Sequence, residues 1–281
     1  MKAGAASFKK RDEIIWPEFV KEGESIMLIA VTREVSRSIT QCELTHLQRV
    51  QIDLQLARKQ HQRYQEALTE LGCQVVSLAE QPDLPDSVFV EDVAIVLDEC
   101  AVITRPGAES RRPEVDSVAS KLGEYRKLRF IEAPGTLDGG DVLQIGKTLY
   151  VGLSGRSNRQ AVDQLRGLIA PFGYVVKAVD VHGCLHLKSA VSQAAENTLL
   201  VNPKWVNPAD FGAMEWLEVD PAEAYAANTL LIGKSIIYPT SFPRTRKLLE
   251  KRGIAVKAVD VSELQKAEGA VTCCSLVFKS Q

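Results

Sequence analysis

LQIGKTLYVGLSGRSNRQAVDQLRGLIAPFGYVVKAVDV (143–181) is echoed by LLIGKSIIYPTSFPRTRKLLEKRGIAVKAVDV (230–261), and that echo decides the fold. Each copy reads as strand, Gly-Lys turn, strand, arginine-containing loop, helix, glycine, and a strand ending in KAVDV. The turns fall at Gly146 and Gly233 and the last strands end at Val181 and Val261, so the second copy is the shorter. Weaker copies keep the same order. VAIVLDECAVITRPGAESRRPEVDSVASKLGEYRKLRFIEA (93–133) is one, and IMLIAVTREVS (26–36) with the helix ARKQHQRYQEALTELG and the strand CQVVSL is another. Residues 185–220 make a degenerate copy with a short helix. About five units of roughly 40–60 residues predict a ring closing on itself, with equivalent positions converging at its centre. A doubly wound parallel sheet is the competing arrangement, and hairpins fit it poorly. The expected organisation is a tail over residues 1–25 with no assigned function, then one α/β domain over 26–281.

Composition narrows the function. The hydrophobic share of 45% and charged share of 25% are those of a globular protein. A net charge of −2 leaves no electrostatic footprint for nucleic acid or an anionic membrane. The apolar run SIMLIAV (25–31) is far too short to span a bilayer, and the N-terminus lacks a signal-peptide core. Six cysteines are too sparse for a disulfide framework, so reduced thiols and a cytoplasmic location are expected.

Polar residues interrupt the predicted strands. PDSVFVEDVAIVL (85–97) carries Glu91 and Asp92 inside an apolar run, with Asp86 on Asp92's side if the strand extends that far. A buried carboxylate needs a partner, so these acids are either solvated at a sheet edge or a set awaiting a cation. In GTLDGGDVLQIG (135–146), two glycines between Asp138 and Asp141 allow close backbone approach or positive φ. His186 sits in the apolar setting GCLHLKSAV, at a repeat start, whereas His46, His61 and His182 lack metal-ligand spacing. Near the C-terminus, GAVTCCSLVFKS (269–280) reads as a strand. Alternation sends Cys274 to the face that ends in Leu276 and Phe278, and Cys273 to the other. A vicinal disulfide or a two-cysteine metal site are minor options.

The stretches LPDSVFVEDVAIV, VITRPGAESRR, TLDGGDVL, YVGLSGRSN, LHLKS and EGAVTCCS together resemble the dimethylarginine dimethylaminohydrolases. Those enzymes belong to the guanidino-group-modifying superfamily, built on a five-bladed, pseudo-symmetric α/β propeller of ββαβ units. The resemblance runs from about residue 28 to the C-terminus. It implies Cys273 as nucleophile, His186 as general acid/base and Asp138 as the acid supporting the histidine. It further implies Asp86, Glu91 and Asp92 around the substrate guanidinium, and Arg105 and Arg156 on its α-carboxylate. Leu44 and the Ala267 carbonyl would line the entrance and α-amino region. The reaction would be hydrolysis of a dimethylarginine to citrulline and dimethylamine through a covalent cysteine adduct. It uses no cofactor or metal, and the partner is a small guanidino amino acid; a homodimer is compatible with it. Two features depart from the family: Asp138 stands where many members have glutamate, and the N-terminal tail is long.

Two other functions are open. A deiminase acting on free arginine is expected to carry an aspartate two residues after the histidine, where this chain has Lys188. A non-catalytic sensor of arginine derivatives with a redox-sensitive Cys273 is the other, and it leaves the retained catalytic residue types unexplained.

Overall fold

The computed structural model describes residues 27–280, and the tail expected over 1–25 lies outside them. The first unit contains β1 (Leu28–Arg33), α1 (Leu54–Glu70) and β2 (Cys73–Leu78). Asp53 starts α1 by accepting a hydrogen bond from the Leu56 N–H, as an N-cap should. Ala57, His61, Tyr64 and Leu68 then form its buried stripe at helical spacing. The second unit has β3 (Ala94–Val96), β4 (Cys100–Ile103), α2 (Val115–Leu122) and β5 (Lys127–Phe130). The third has β6 (Val142–Ile145), β7 (Thr148–Leu153), α3 (Arg159–Ile169, capped by Asn158) and β8 (Val175–Asp180).

The fourth unit opens with the short α4 (Leu187–Ala190), followed by β9 (Val191–Ala195), β10 (Thr198–Val201) and β11 (Glu215–Glu218). A 3-10 turn at Pro208–Phe211 replaces its long helix, because Pro203, Pro208 and Gly212 break any longer run. The fifth has β12 (Leu230–Ile232), β13 (Ser235–Pro239), α5 (Pro243–Lys251) and β14 (Ala255–Val259). After α6 (Ser262–Gln265) the chain ends in β15 (Leu276–Lys279).

Each unit is one three-stranded sheet whose middle strand is antiparallel to the inner strand and parallel to the outer one. The five expected units are therefore present as a pseudo-symmetric ring. Gly146 and Gly233 take φ of 57° and 59° at the two-residue hairpin turns. The first unit borrows its inner strand from the other end of the chain. β15 pairs antiparallel with β1, from Leu28↔Lys279 to Val31↔Leu276, and this pairing closes the ring. The five inner strands surround a central cavity of about 710 Å³, lined by Ile95, Leu143, Gln193, Leu231 and Val277 among others.

Two strand expectations are corrected. Residues 90–93 form a 3-10 helix, and only Ala94–Val96 continue as strand. Residues 271–274 form a turn, and the final strand begins only at Leu276. In both places the backbone turns because polar groups there bond to partners far away in sequence.

Candidate active site

Four turns, each just before the inner strand of a unit, converge on one end of the ring. They carry Glu91 and Asp92 before β3, Asp138 and Asp141 before β6, His186 before β9, and Cys273 before β15. Asn228 holds the equivalent place before β12; it is buried, donating to Thr272 Oγ1 and to the Lys188 carbonyl. The repeat thus brings a polar turn from every unit to the same end of the ring.

There Glu43, Asp86, Phe89, Asp92, Arg111, Arg156, Leu185, His186, Ala267, Glu268, Gly269 and Cys273 line a nearly closed cavity of about 20 Å³. His186 lies between two carboxylates. Its Nε2 is 3.1 Å from Asp138 Oδ2 and its Nδ1 is 3.8 Å from Asp92 Oδ1. Asp138 is fixed in turn by the Gly107 N–H at 2.8 Å and by Arg156 Nη1 at 3.6 Å. Asp141 faces away, accepting from Ser154, Ser157 and the Leu187 N–H, so it anchors the start of α4. The glycine pair provides close approach. A Cβ on Gly140 would stand 2.6 Å from His186 Nδ1 and 2.7 Å from Asp92 Oδ1.

The electrostatics follow from burial and these pairings. Burial opposes the imidazolium, but Asp92 and the hydrogen bond that His186 donates to Asp138 outweigh it and hold the His186 pKa up to about 9. Asp92 is pulled down to about 2: burial is overcome by His186, Arg111 and the Gly140 N–H. The Cys273 thiol is raised, first by burial and then by Glu91 and Asp92, so the resting group is a thiol. Burial also lifts Asp86, which Arg111 only partly offsets.

The residues expected from sequence divide into two groups. Cys273, His186, Asp86, Asp92, Arg156 and Ala267 line the cavity, and Asp138 stands directly behind His186. Cys274, fully buried, belongs to the core beneath. Glu91 does not line the reaction cavity. Its carboxylate receives Lys188 Nζ at 2.5 Å and Thr272 Oγ1 at 2.7 Å, and it faces the central cavity instead. Arg105 is also outside the lining, donating to the Gly135 carbonyl, and Leu44 packs against the core while its neighbour Glu43 reaches the cavity.

Sequence reasoning missed Arg111. This buried guanidinium binds Asp92 Oδ2 at 2.6 Å and Glu114, and donates to the carbonyls of Asp86 and Phe89. The signal available was the surplus of acids over 86–92, which demands a cation somewhere. Among the described residues, Asp92, Asp138 and His186 bring possible ligand atoms within 4.8 Å of one another. Each already has a protein partner.

The comparisons with known proteins agree with this architecture. The family model for eukaryotic N,N-dimethylarginine dimethylhydrolase matches residues 34–206. A Streptomyces coelicolor N(G),N(G)-dimethylarginine dimethylaminohydrolase is 41% identical over 251 residues, covering 88% of this chain and 95% of the relative. Its Pseudomonas aeruginosa counterpart is 36% identical over 80% of this chain and 90% of its own. A solved structure of the Pseudomonas aeruginosa enzyme, a cysteine-to-serine mutant complexed with citrulline, superimposes with a TM-score of 0.86 at 34% identity, covering 90% of this chain and all of that one. The N-terminal domain of a cyanobacterial arginine dihydrolase, at 17% identity and a TM-score of 0.79, shares the fold. The chain belongs to the dimethylarginine dimethylaminohydrolase family.

Proposed function

We propose that the protein hydrolyses N-ω-methylated arginine to citrulline and dimethylamine, with Cys273, His186 and Asp138 as its catalytic residues. One observation carries this reading: a cysteine and a doubly carboxylate-flanked histidine share a cavity with an acid for a guanidinium and an arginine for a carboxylate. A guanidinium carbon is a poor electrophile, so a thiolate is needed. The resting thiol is protonated, and the charge of the bound guanidinium drives its proton out to solvent as the substrate seats. Thiolate attack forms the C–S bond and pushes the electron pair onto nitrogen. His186, held as imidazolium, then donates its proton to the dimethylamino nitrogen as that C–N bond breaks. A thiouronium remains. Neutral His186 next takes a proton from water while the water oxygen bonds to carbon; collapse then breaks the C–S bond, and the departing Cys273 sulfur takes up the remaining hydroxyl proton, leaving the ureido group of citrulline and the resting thiol.

Of Asp86, Glu91 and Asp92, Asp86 is the one that bonds no cationic side chain at hydrogen-bond distance, which supports it as the principal guanidinium acceptor. Asp92 is shared with Arg111 and His186, and Glu91 with Lys188. A site with few free acceptors suits a substrate whose dimethylated nitrogen carries no N–H. Arg156, on the rim, takes the α-carboxylate. Arg105, Leu44 and the Ala267 carbonyl complete the amino-acid end, Arg105 after a side-chain turn away from Gly135. Residues 26–281 act as one catalytic domain, because the end-to-end pairing of β1 with β15 joins the first unit to the last strand. A cytoplasmic setting fits six cysteines that are all unpaired. No helix among the described residues is long and apolar enough to cross a membrane.

The test is stoichiometry. Incubation with asymmetric dimethylarginine should release citrulline and dimethylamine one to one. Release of ammonia from free arginine at a higher kcat/KM would favour the deiminase reading instead.

A further inference from the structure

The segment 42–53 crosses the mouth of the reaction cavity without helix or strand, and residues 45–51 are exposed. It is tied down at several points. Arg49 holds the carbonyls of Thr40 and Cys42 at its base. The Glu43 N–H donates to Asp86 Oδ2 at 3.0 Å, and Ser110 donates to the Glu43 carboxylate. Arg156 Nη2 reaches Thr45 Oγ1 at 3.2 Å. The tip is held differently. One carboxylate, from Glu268, accepts three successive backbone N–H groups: Thr45 at 2.9 Å, His46 at 2.5 Å and Leu47 at 2.6 Å.

Glu268 is also the one non-glycine residue among the described residues with positive φ, at 58°. A left-handed backbone is unfavourable for glutamate and persists only where its surroundings impose it. Here the surroundings are a tight turn, in which the N–H groups of Ala267 and Gly269 both donate to the Leu264 carbonyl. That turn aims the carboxylate across the mouth, between Ala267 and Gly269, which themselves line the cavity four to six residues before Cys273.

We propose that Glu268 is a positioning residue, a latch that holds the 43–47 segment closed over the reaction cavity. The proposal deepens the reading above and rests on it for the substrate. Two of the other ties, those of Asp86 and Arg156, use groups the substrate needs. Asp86 must turn to the guanidinium and Arg156 to the α-carboxylate, so substrate binding withdraws both from the segment. Glu268 is not required by either end of the substrate, and its three charge-assisted bonds can persist in the complex. The closed cavity of about 20 Å³ cannot admit an amino acid, so entry requires the segment to lift and capture requires it to return.

The test compares Glu268→Gln and Glu268→Gly with the parent protein. Glutamine keeps the size and loses the charge; glycine loses the side chain and relieves the positive φ. Iodoacetamide labelling of Cys273, read by peptide mass spectrometry, reports opening without needing turnover. Both variants should label about tenfold faster or more, because three hydrogen bonds to a charged acceptor are lost. On dimethylarginine, KM should rise about tenfold while kcat stays within about threefold, because the latch is made in the bound state and touches no reacting atom. Labelling rates and KM within about twofold of the parent in both variants would overturn the latch. So would a glycine variant that behaves like the parent while the glutamine variant opens, since that pattern assigns the effect to amide repulsion. Absence of dimethylarginine turnover in the parent would sink the substrate reading, and the labelling ratio would still decide the latch.

Discussion

Replacing Asp92 by asparagine should release the proton that His186 holds at neutral pH. The Asp92 Oδ1 to His186 Nδ1 separation is 3.8 Å, and both groups are buried. At an effective dielectric of about 20, that distance is worth about 4 kcal/mol, or roughly 3 pKa units, as an upper bound. Asp138 remains on Nε2 and continues to favour the imidazolium. The change also leaves Arg111 with one anionic partner fewer, which pushes His186 down further. A fall of about 2 units from about 9 is therefore expected. His186, the proposed general acid, would then be mostly neutral at pH 7.5, and the alkaline limb of kcat would move to lower pH by the same amount. Histidine-labelled NMR can follow the titration directly, because the chain has only four histidines. A His186 pKa within about half a unit of the parent would refute the claim that Asp92 sets it.

Cys273→Ser should abolish turnover while Cys274→Ser retains most of it, since only Cys273 lines the cavity; citrulline release measures both. Arg156→Ala should lower kcat/KM on dimethylarginine by about 2 kcal/mol and barely affect an alkylguanidine lacking the carboxylate, with a smaller loss for Arg105→Ala. Equal losses on both substrates would make the arginines structural. Arg111→Met should cost about 3–5 kcal/mol in urea unfolding, because Asp92 and Glu114 would be left buried without their cation. Burial depresses the His61 pKa to about 4, against an unfolded value of about 6.5. The unfolded state therefore binds the extra proton between those values. This contribution is present above about pH 6.5 and declines as pH falls toward 4, by up to about 3 kcal/mol. His61→Gln should flatten that slope.

The legible parts of the sequence were those repeated in it. The Gly-Lys hairpins and KAVDV strands of the third and fifth units gave the ring, and a repeat start singled out His186, whereas Asp138 and Cys273 received their roles through the family resemblance. The split first unit was hidden because its inner strand lies 245 positions away at Leu276, past the end of the fifth copy. Alternation misread 90–93 and 271–274 for a different reason. VFVEDVAIV has the apolar content of a strand, yet Glu91 and Asp92 can both be buried because Lys188, Thr272 and Arg111 meet them. Those partners are set by the closed ring and leave no periodic trace. Glu268 was invisible for the same reason, being a glutamate in a turn whose three donors sit more than two hundred residues earlier.

The β1–β15 pairing ties the shape of the cavity to two segments about 250 positions apart. Cys273 stands three residues before β15, and the Ser280 N–H reaches back to the Met27 carbonyl at 2.7 Å. During synthesis, β1 emerges long before β15 and waits with one edge uncovered until that partner strand is made. A nascent polypeptide that stops short of Cys273 lacks both the proposed nucleophile and the strand that seats it, so the cavity cannot be completed before β15 is made. The adjacency of Met27 and Ser280 also suits circular permutation of residues 27–280. A linker from Ser280 to Met27 with new ends opened at the Gly233 turn would turn the seam into an ordinary hairpin and let the thiol form early.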